Sequence, residues 1–204
     1  MQQLPERMAA VLLLGHGDYG QLSYRLDVPR PDPGPGEVLI QVAAAGINNT
    51  DINTRIGWYS AAVRGDTAAA EATPAAAATD GDWTGGGLAF PRIQGADVCG
   101  RVVALGAGVP AGRLGQRVIV QGCLVSRRQG RLVPWLGSEI DGGFAQFVAA
   151  PAADSHAVDS PLSDAELAAL PCAYGTAENL VHRAKVAAGE TGLVPCASGG
   201  VCAG

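Results

Sequence analysis

The 204-residue chain has one lysine, Lys185, among its 14 basic residues, and only three histidines. With 19 acidic residues its formal net charge is −5, which gives no support to binding of nucleic acid or an anionic membrane surface. No apolar run approaches the roughly 20 residues that a transmembrane helix needs. The opening MQQLPERMAAVLLLGHG places Glu6 and Arg7 before a short apolar run and has no convincing cleavage site, so it reads as a first strand. The cysteines at 99, 123, 172, 196 and 202 are odd in number and form no C-x-x-C pair. That argues against a disulfide framework or a four-thiolate zinc knot, and makes a reducing cytoplasm the expected compartment.

What is present points to a folded protein rich in turns. At 48% hydrophobic and 16% charged, the chain carries too much apolar material to stay solvated as a disordered polymer. Its 29 glycines and 13 prolines favour short strands and turns over a helical bundle. Strands are expected at 37–42, 101–105, 117–120 and 144–148, each entered through a glycine-containing turn, with no helix over 92–150. Such short, evenly punctuated strands predict a β-barrel or sandwich. Residues 61–87 are almost entirely Ala, Gly, Thr and Asp, and so are expected to form a mobile low-complexity surface insertion, dispensable for folding.

Beyond residue 160 the pattern becomes helical. Ser163-Asp164-Ala165-Glu166 is a capping box, predicting a helix over 163–170 that Pro171 ends. Ala177, Leu180, Val181 and Ala184 then follow i, i+3, i+4, i+7 spacing, predicting a second helix from about Thr176 to Ala188, with Gly189 at its C′ position. A strand over 192–196 leads into Ala197-Ser198-Gly199-Gly200-Val201. A strand followed by a small-residue turn is how a dinucleotide-binding βαβ unit begins, the glycines allowing backbone to approach a pyrophosphate.

Several segments, in order, resemble one family. Gly46-Ile47-Asn48-Asn49-Thr50-Asp51-Ile52-Asn53-Thr54-Arg55-Ile56-Gly57-Trp58-Tyr59 is similar to the active-site segment G-[IV]-N-x-x-D-x-x-x-R-x-G-x-Y of zinc-independent, quinone-reductase-like medium-chain dehydrogenases/reductases. Gly95-Ala96-Asp97-Val98-Cys99-Gly100-Arg101-Val102 resembles that family's G-x-D-x-x-G-x-V strand, and Asp141-Gly142-Gly143-Phe144-Ala145-Gln146 its D-G-[GT]-[FY]-A-[EQ] segment. Pro171 to Ala177 resembles its proline-to-Thr-Ala helix, and Gly189-Glu190-Thr191 its approach to the nucleotide domain. The resemblance implies a mainly β fold with some α: a GroES-like β-barrel catalytic domain over 1–160, then linking helices and the truncated first elements of a Rossmann domain over 161–204. It also implies NADP or NAD as cofactor and hydride transfer to a small carbonyl, enone or quinone. A family homo-oligomer is compatible with this, although the usual nucleotide-domain interface is absent.

The same resemblance bears on metal. Zinc-dependent relatives place a cysteine where this chain has Asn48, and a histidine and glutamate where it has Ala96 and Asp97; only Cys172 keeps a thiol. A catalytic zinc needs about three protein ligands, so none is expected, a variant site using Cys172 and Asp97 being the alternative. Asn48 is then implied to hold the nicotinamide ribose or the substrate oxygen, with Thr50, Asp51 and Tyr59 as its catalytic neighbours. Tyr59 is a polariser first, since an unperturbed phenol titrates near 10. The alternative for Asn48-Asn49-Thr50-Asp51 is a turn with local side-chain bonds. Asn53 stands where the family has tyrosine, and the histidines take no role. Thr176, Ser198, Gly199, Gly200 and Val201 are the implied cofactor contacts, Thr176 doubling as an N-cap. Cys196 and Cys202 replace family glycines around this turn, obstructing close phosphate approach, so the 204 residues alone are expected to be inactive. A non-catalytic GroES-like module that binds a partner or small hydrophobe is the alternative.

Overall fold

The computed structural model describes residues 4–60, 63, 87–130, 132–193 and 200–203. The insertion expected over 61–87 lies almost wholly outside them, as does most of the strand expected over 192–196. Among the described residues the chain runs β1 (Arg7–Leu13), β2 (Leu22–Pro29), β3 (Glu37–Gly46), α1 (Asn49–Arg55), β4 (Arg92–Ile93), β5 (Asp97–Leu105), β6 (Arg117–Val120), β7 (Phe147–Pro151), β8 (Ser155–Ala157), α2 (Asp164–Ala168), α3 (Pro171–Ala184) and α4 (Gly200–Ala203). No described helix is long and apolar enough to cross a membrane.

Every pairing between these strands is antiparallel. One sheet has the order β2-β1-β4 and the other β7-β3-β5-β6-β8. The chain passes between the sheets at 144–147. Val11 N–H donates to Phe144 O and Gln146 N–H to Ala9 O, whereas Phe147 pairs with Gln41 of β3. The strand expected at 144–148 therefore divides: its first residues bridge to β1 and its remainder starts β7, which continues to Pro151. The result is a curled half-barrel, as the turn-rich composition predicts.

Alternation sorts side chains onto the core. Val38, Ile40, Val98, Val102, Val118, Val120, Leu124, Leu136 and Val148 form one buried cluster; Met8, Ala10, Leu39, Ile93 and Phe147 form a second on the other face. Successive residues of β3 thus feed different clusters, as a strand requires. Two strands run further than expected. β3 continues through Ala43-Ala44-Ala45-Gly46, and β5 begins at Asp97, because Ala44, Ala45 and Gly46 pair with Cys99, Val98 and Asp97 past a register shift. A Cβ on Gly46 would collide with the Ala168 carbonyl of α2, so glycine lets that helix lie directly on the strand.

Residues 49–55 are helical, which sets aside the alternative of a turn at 48–51: Asn48 is extended at φ −129° and Asp51, as the third helical residue, accepts the Asn48 N–H at 2.8 Å. Two local expectations are corrected. Pro171 begins α3 as well as ending the helix before it. Proline lacks the N–H that a first helical position leaves unpaired anyway. Thr176 is consequently inside α3 and caps nothing. The helix stops at Ala184 because Lys185 turns left-handed (φ 55°), taking the place foreseen for Gly189. The Ser163–Glu166 box forms as read, with Glu166 N–H on Ser163 Oγ and Ser163 N–H on Glu166 Oε2.

Candidate active-site cleft

A cavity of about 540 Å³ lies between α1, the loops after β6, and α3. Asn48, Asn49, Thr50, Asn53 and Tyr59 form one wall. Gln121, Gly122, Cys123, Val125, Arg128 and Trp135 form the second, and Pro171, Cys172, Gly175, Thr176, Asn179 and Arg183 the third. Four of the expected site residues (Asn48, Thr50, Tyr59 and Thr176) therefore meet on one concave surface. Asp51 does not line it, Gly200 and Val201 start α4 beside α3, and Ser198 and Gly199 lie outside the described residues.

Asp51 explains why α1 sits where it does. Its carboxylate accepts the N–H groups of Asn48 and Gly95, and Gln94 Nε2 donates to its carbonyl at 2.8 Å. Gly95 is held at φ +101°, with Phe144 and Gly143 backbone too close for a Cβ. The far end of α1 is clamped too. His16 Nδ1 contacts the Thr54 carbonyl at 2.8 Å, and Arg55 donates to Gly17 O while stacking 4.3 Å over Tyr19. His16, unassigned from sequence, is thus part of the helix support.

Asn48, Asp97 and Cys172 come together at the base of the cleft. Asp97 Oδ1 accepts the Cys172 N–H at 2.6 Å, and the neighbouring Asn48 side chain favours the ionised form of the same carboxylate. Burial raises the Asp97 and Asp51 carboxyls to about 6 each. Burial, with the negative charge of Asp97 and Asp51, pushes the Cys172 thiol up to about 12. With Asn48 and Ala96 at two of the four positions, and Asp97 already accepting the Cys172 N–H, the residues present fall short of the about three protein ligands that a catalytic zinc needs. No described group of three or more His, Cys, Asp or Glu side chains is arranged to hold a metal ion.

Above this base stands a chain of neutral polar groups. Tyr59 Oη–H donates to Thr50 Oγ1 at 3.3 Å, and the Asn53 side chain lies beside the Tyr59 phenol. Burial raises the Tyr59 phenol above its ordinary value, so it remains a donor at neutral pH. Thr50 is left with its own hydroxyl proton to present to the cleft.

The alcohol dehydrogenase GroES-like domain family matches residues 34–160, more than half of the chain. The protein belongs to that family. Its relatives include a quinone oxidoreductase of Rattus norvegicus, 30% identical over 95% of this chain and 47% of that protein. An L-threonine 3-dehydrogenase of Streptomyces avermitilis is 33% identical over 78% of this chain and 42% of its own length. A crystal structure of a candidate alcohol dehydrogenase from Sinorhizobium meliloti 1021 superposes with a TM-score of 0.83 at 44% identity, covering 98% of this chain and 53% of the other. The chain spans about half the length of these relatives. Those relatives are named as oxidoreductases and dehydrogenases.

Sequence reading missed Trp135, Cys123, Asn179 and Arg183 as parts of this cleft. Trp135 and Cys123 belong to irregular loops after β6 whose position no periodicity reports. Asn179 and Arg183 were available, since Cys172, Thr176, Asn179 and Arg183 follow i, i+4, i+7, i+11 spacing and so share a face of α3.

Proposed function

We propose that this chain supplies the substrate cleft of an NAD(P)H-dependent oxidoreductase that reduces a carbonyl, enone or quinone without catalytic zinc. The observation that supports the proposal is the hydrogen bond from Cys172 N–H to Asp97 beside Asn48, at positions where, by the resemblance, zinc-dependent relatives carry metal ligands. Residues 1–160 would form the catalytic half, with 161–204 leading into the nucleotide-binding half. NADPH or NADH, when bound, supplies the hydride. Asn48 and Thr176 border the cleft from opposite walls and offer hydrogen-bond partners to a nicotinamide ribose; Gly200 and Val201 lie where the resemblance puts the pyrophosphate turn.

With no metal, the substrate oxygen is polarised by hydroxyl donors. Thr50 presents its proton to that oxygen, and Tyr59 donates to Thr50, strengthening it as a donor. Asp51 acts at one remove by fixing the start of α1. Trp135 and Val125 provide the apolar wall for a quinone or enone ring.

The test uses carbonyl-¹³C acetophenone as a probe of the 204-residue chain by isotope-edited infrared spectroscopy. Binding is expected to move the carbonyl stretch to lower frequency. The shift should shrink in Tyr59→Phe and disappear in Thr50→Val. A bound probe with an unshifted carbonyl contradicts the proposal. Because Cys196 and Cys202 stand where the resemblance puts glycines around the pyrophosphate turn, these 204 residues are expected to bind NADPH no tighter than about millimolar, near −4 kcal/mol. Micromolar binding by titration calorimetry would show that the phosphates are held elsewhere.

A further inference from the structure

Asn53 carries an unmet hydrogen-bond demand at the cleft. It stands on α1, one turn after Thr50, and is only 9% exposed. Its amide lies beside the Tyr59 phenol. The amide oxygen, Oδ1, is buried and has no partner. Of the described side-chain atoms in that condition, it is the one belonging to a residue that borders the cleft; the others lie on His16, Arg92, Arg113 and Gln116. Leaving a buried acceptor unpaired destabilises the site. A ligand seated in the cleft can remove that cost by bringing its own O–H or N–H.

We propose that Asn53 is a specificity-determining residue, its Oδ1 selecting substrates that carry a hydroxyl or amine donor beside the reacting carbonyl. The inference rests on the carbonyl-cleft reading above and adds the substrate class. Residues three apart on a helix have Cβ atoms about 5–6 Å apart on one face. A ligand oxygen held at Thr50 therefore places the neighbouring carbon's substituent within reach of Asn53, as an α-hydroxy ketone or a 1,2-diol would. Tyr59 touches both side chains and fixes their relative position. A simple ketone would leave Oδ1 unpaired in the complex, and a site built around a buried acceptor discriminates against a ligand that cannot fill it.

The experiment compares 2-hydroxyacetophenone with acetophenone by titration calorimetry on the 204-residue chain. The two differ by one hydroxyl on the carbon beside the carbonyl. The wild type is expected to bind the hydroxy ketone about tenfold more tightly. In Asn53→Leu the two probes should bind within about twofold of each other. Asn53→Asp retains side-chain oxygens at the same reach and should keep the preference; if the leucine variant fails to fold, the wild-type ratio and the aspartate variant decide. Equal binding of both ketones to the wild type overturns the Asn53 assignment and leaves the carbonyl cleft standing. A tenfold preference that survives in Asn53→Leu also overturns it. Binding of neither ketone overturns the cleft reading and this inference with it. Nicotinamide mononucleotide, with its carboxamide N–H, is the third probe. Loss of its binding in Asn53→Leu with the ketone ratio unchanged would give the oxygen to the nucleotide and overturn the substrate assignment.

Discussion

The two helices that wall the cleft are held in opposite ways. α1 has seven residues and buries four of them, Asp51, Asn53, Thr54 and Arg55, all polar or charged. α3 has fourteen and buries only Cys172 and Ala173 in its first turn; Leu180 and Val181 are 57% and 52% exposed. The first helix is fixed by hydrogen bonds that nothing else in the protein could replace. The second is fastened at one end, where Asp97 accepts the Cys172 N–H, and its apolar stripe has no described partner. Thr50, proposed to polarise the substrate oxygen, is thus on the more constrained wall. Of the two proposed ribose contacts, Asn48 is on that wall too and Thr176 is on the wall with fewer contacts.

Removing the carboxylate beneath α1 should break this contrast most severely. Asp51→Ala strands the buried N–H groups of Asn48 and Gly95, and is expected to cost about 3 kcal/mol by denaturant unfolding. A cost under 1 kcal/mol would mean that α1 is held by packing alone. The next effect is a pH dependence at the junction of the two walls. Burial raises Asp97 to about 6, above its unfolded value near 4, so the folded state favours the neutral acid. The stability this contributes is complete below about pH 4 and lost as pH rises through 6. Asp97→Asn should therefore gain on the wild type by about 2 kcal/mol between pH 4.5 and 7.5. Thermal unfolding at both values checks this, and a gain for the wild type would reverse the sign.

Tyr59→Phe comes next, with a stability change of about 1 kcal/mol but loss of most of the carbonyl polarisation. Equal infrared shifts in variant and wild type would place the donor elsewhere. Leu180→Ser on α3 should be smallest, within about 0.5 kcal/mol, because the side chain is already in water. A large loss would show that the stripe is covered in solution.

The strands were legible because alternation and glycine turns are local signals, and β6 was read at Arg117–Val120 without error. The Ser163–Glu166 box was equally plain. α1 was not, since its cap is an Asn–Asp pair and its buried face is polar, so no apolar period marks it. α3 was recognised from its apolar period, yet the residues that supplied that period are mostly exposed. Periodicity reports a face suited to burial, not one that is buried. The family pattern pointed to Asn48, Thr50 and Tyr59, which the fold brings together. It also pointed to Asp51, whose carboxylate is spent on the backbone. Asn53 drew notice only as a departure from that pattern; its unpaired oxygen required coordinates to see.

The central claim is that hydrogen bonds, not a metal, organise the base of the cleft. It is tested most directly by equilibrating the purified chain with excess zinc, removing free metal by gel filtration, and measuring the zinc retained. The account predicts well under one zinc per chain, with no change in Cys172→Ser. One tightly held zinc per chain, lost in Cys172→Ser, would contradict it.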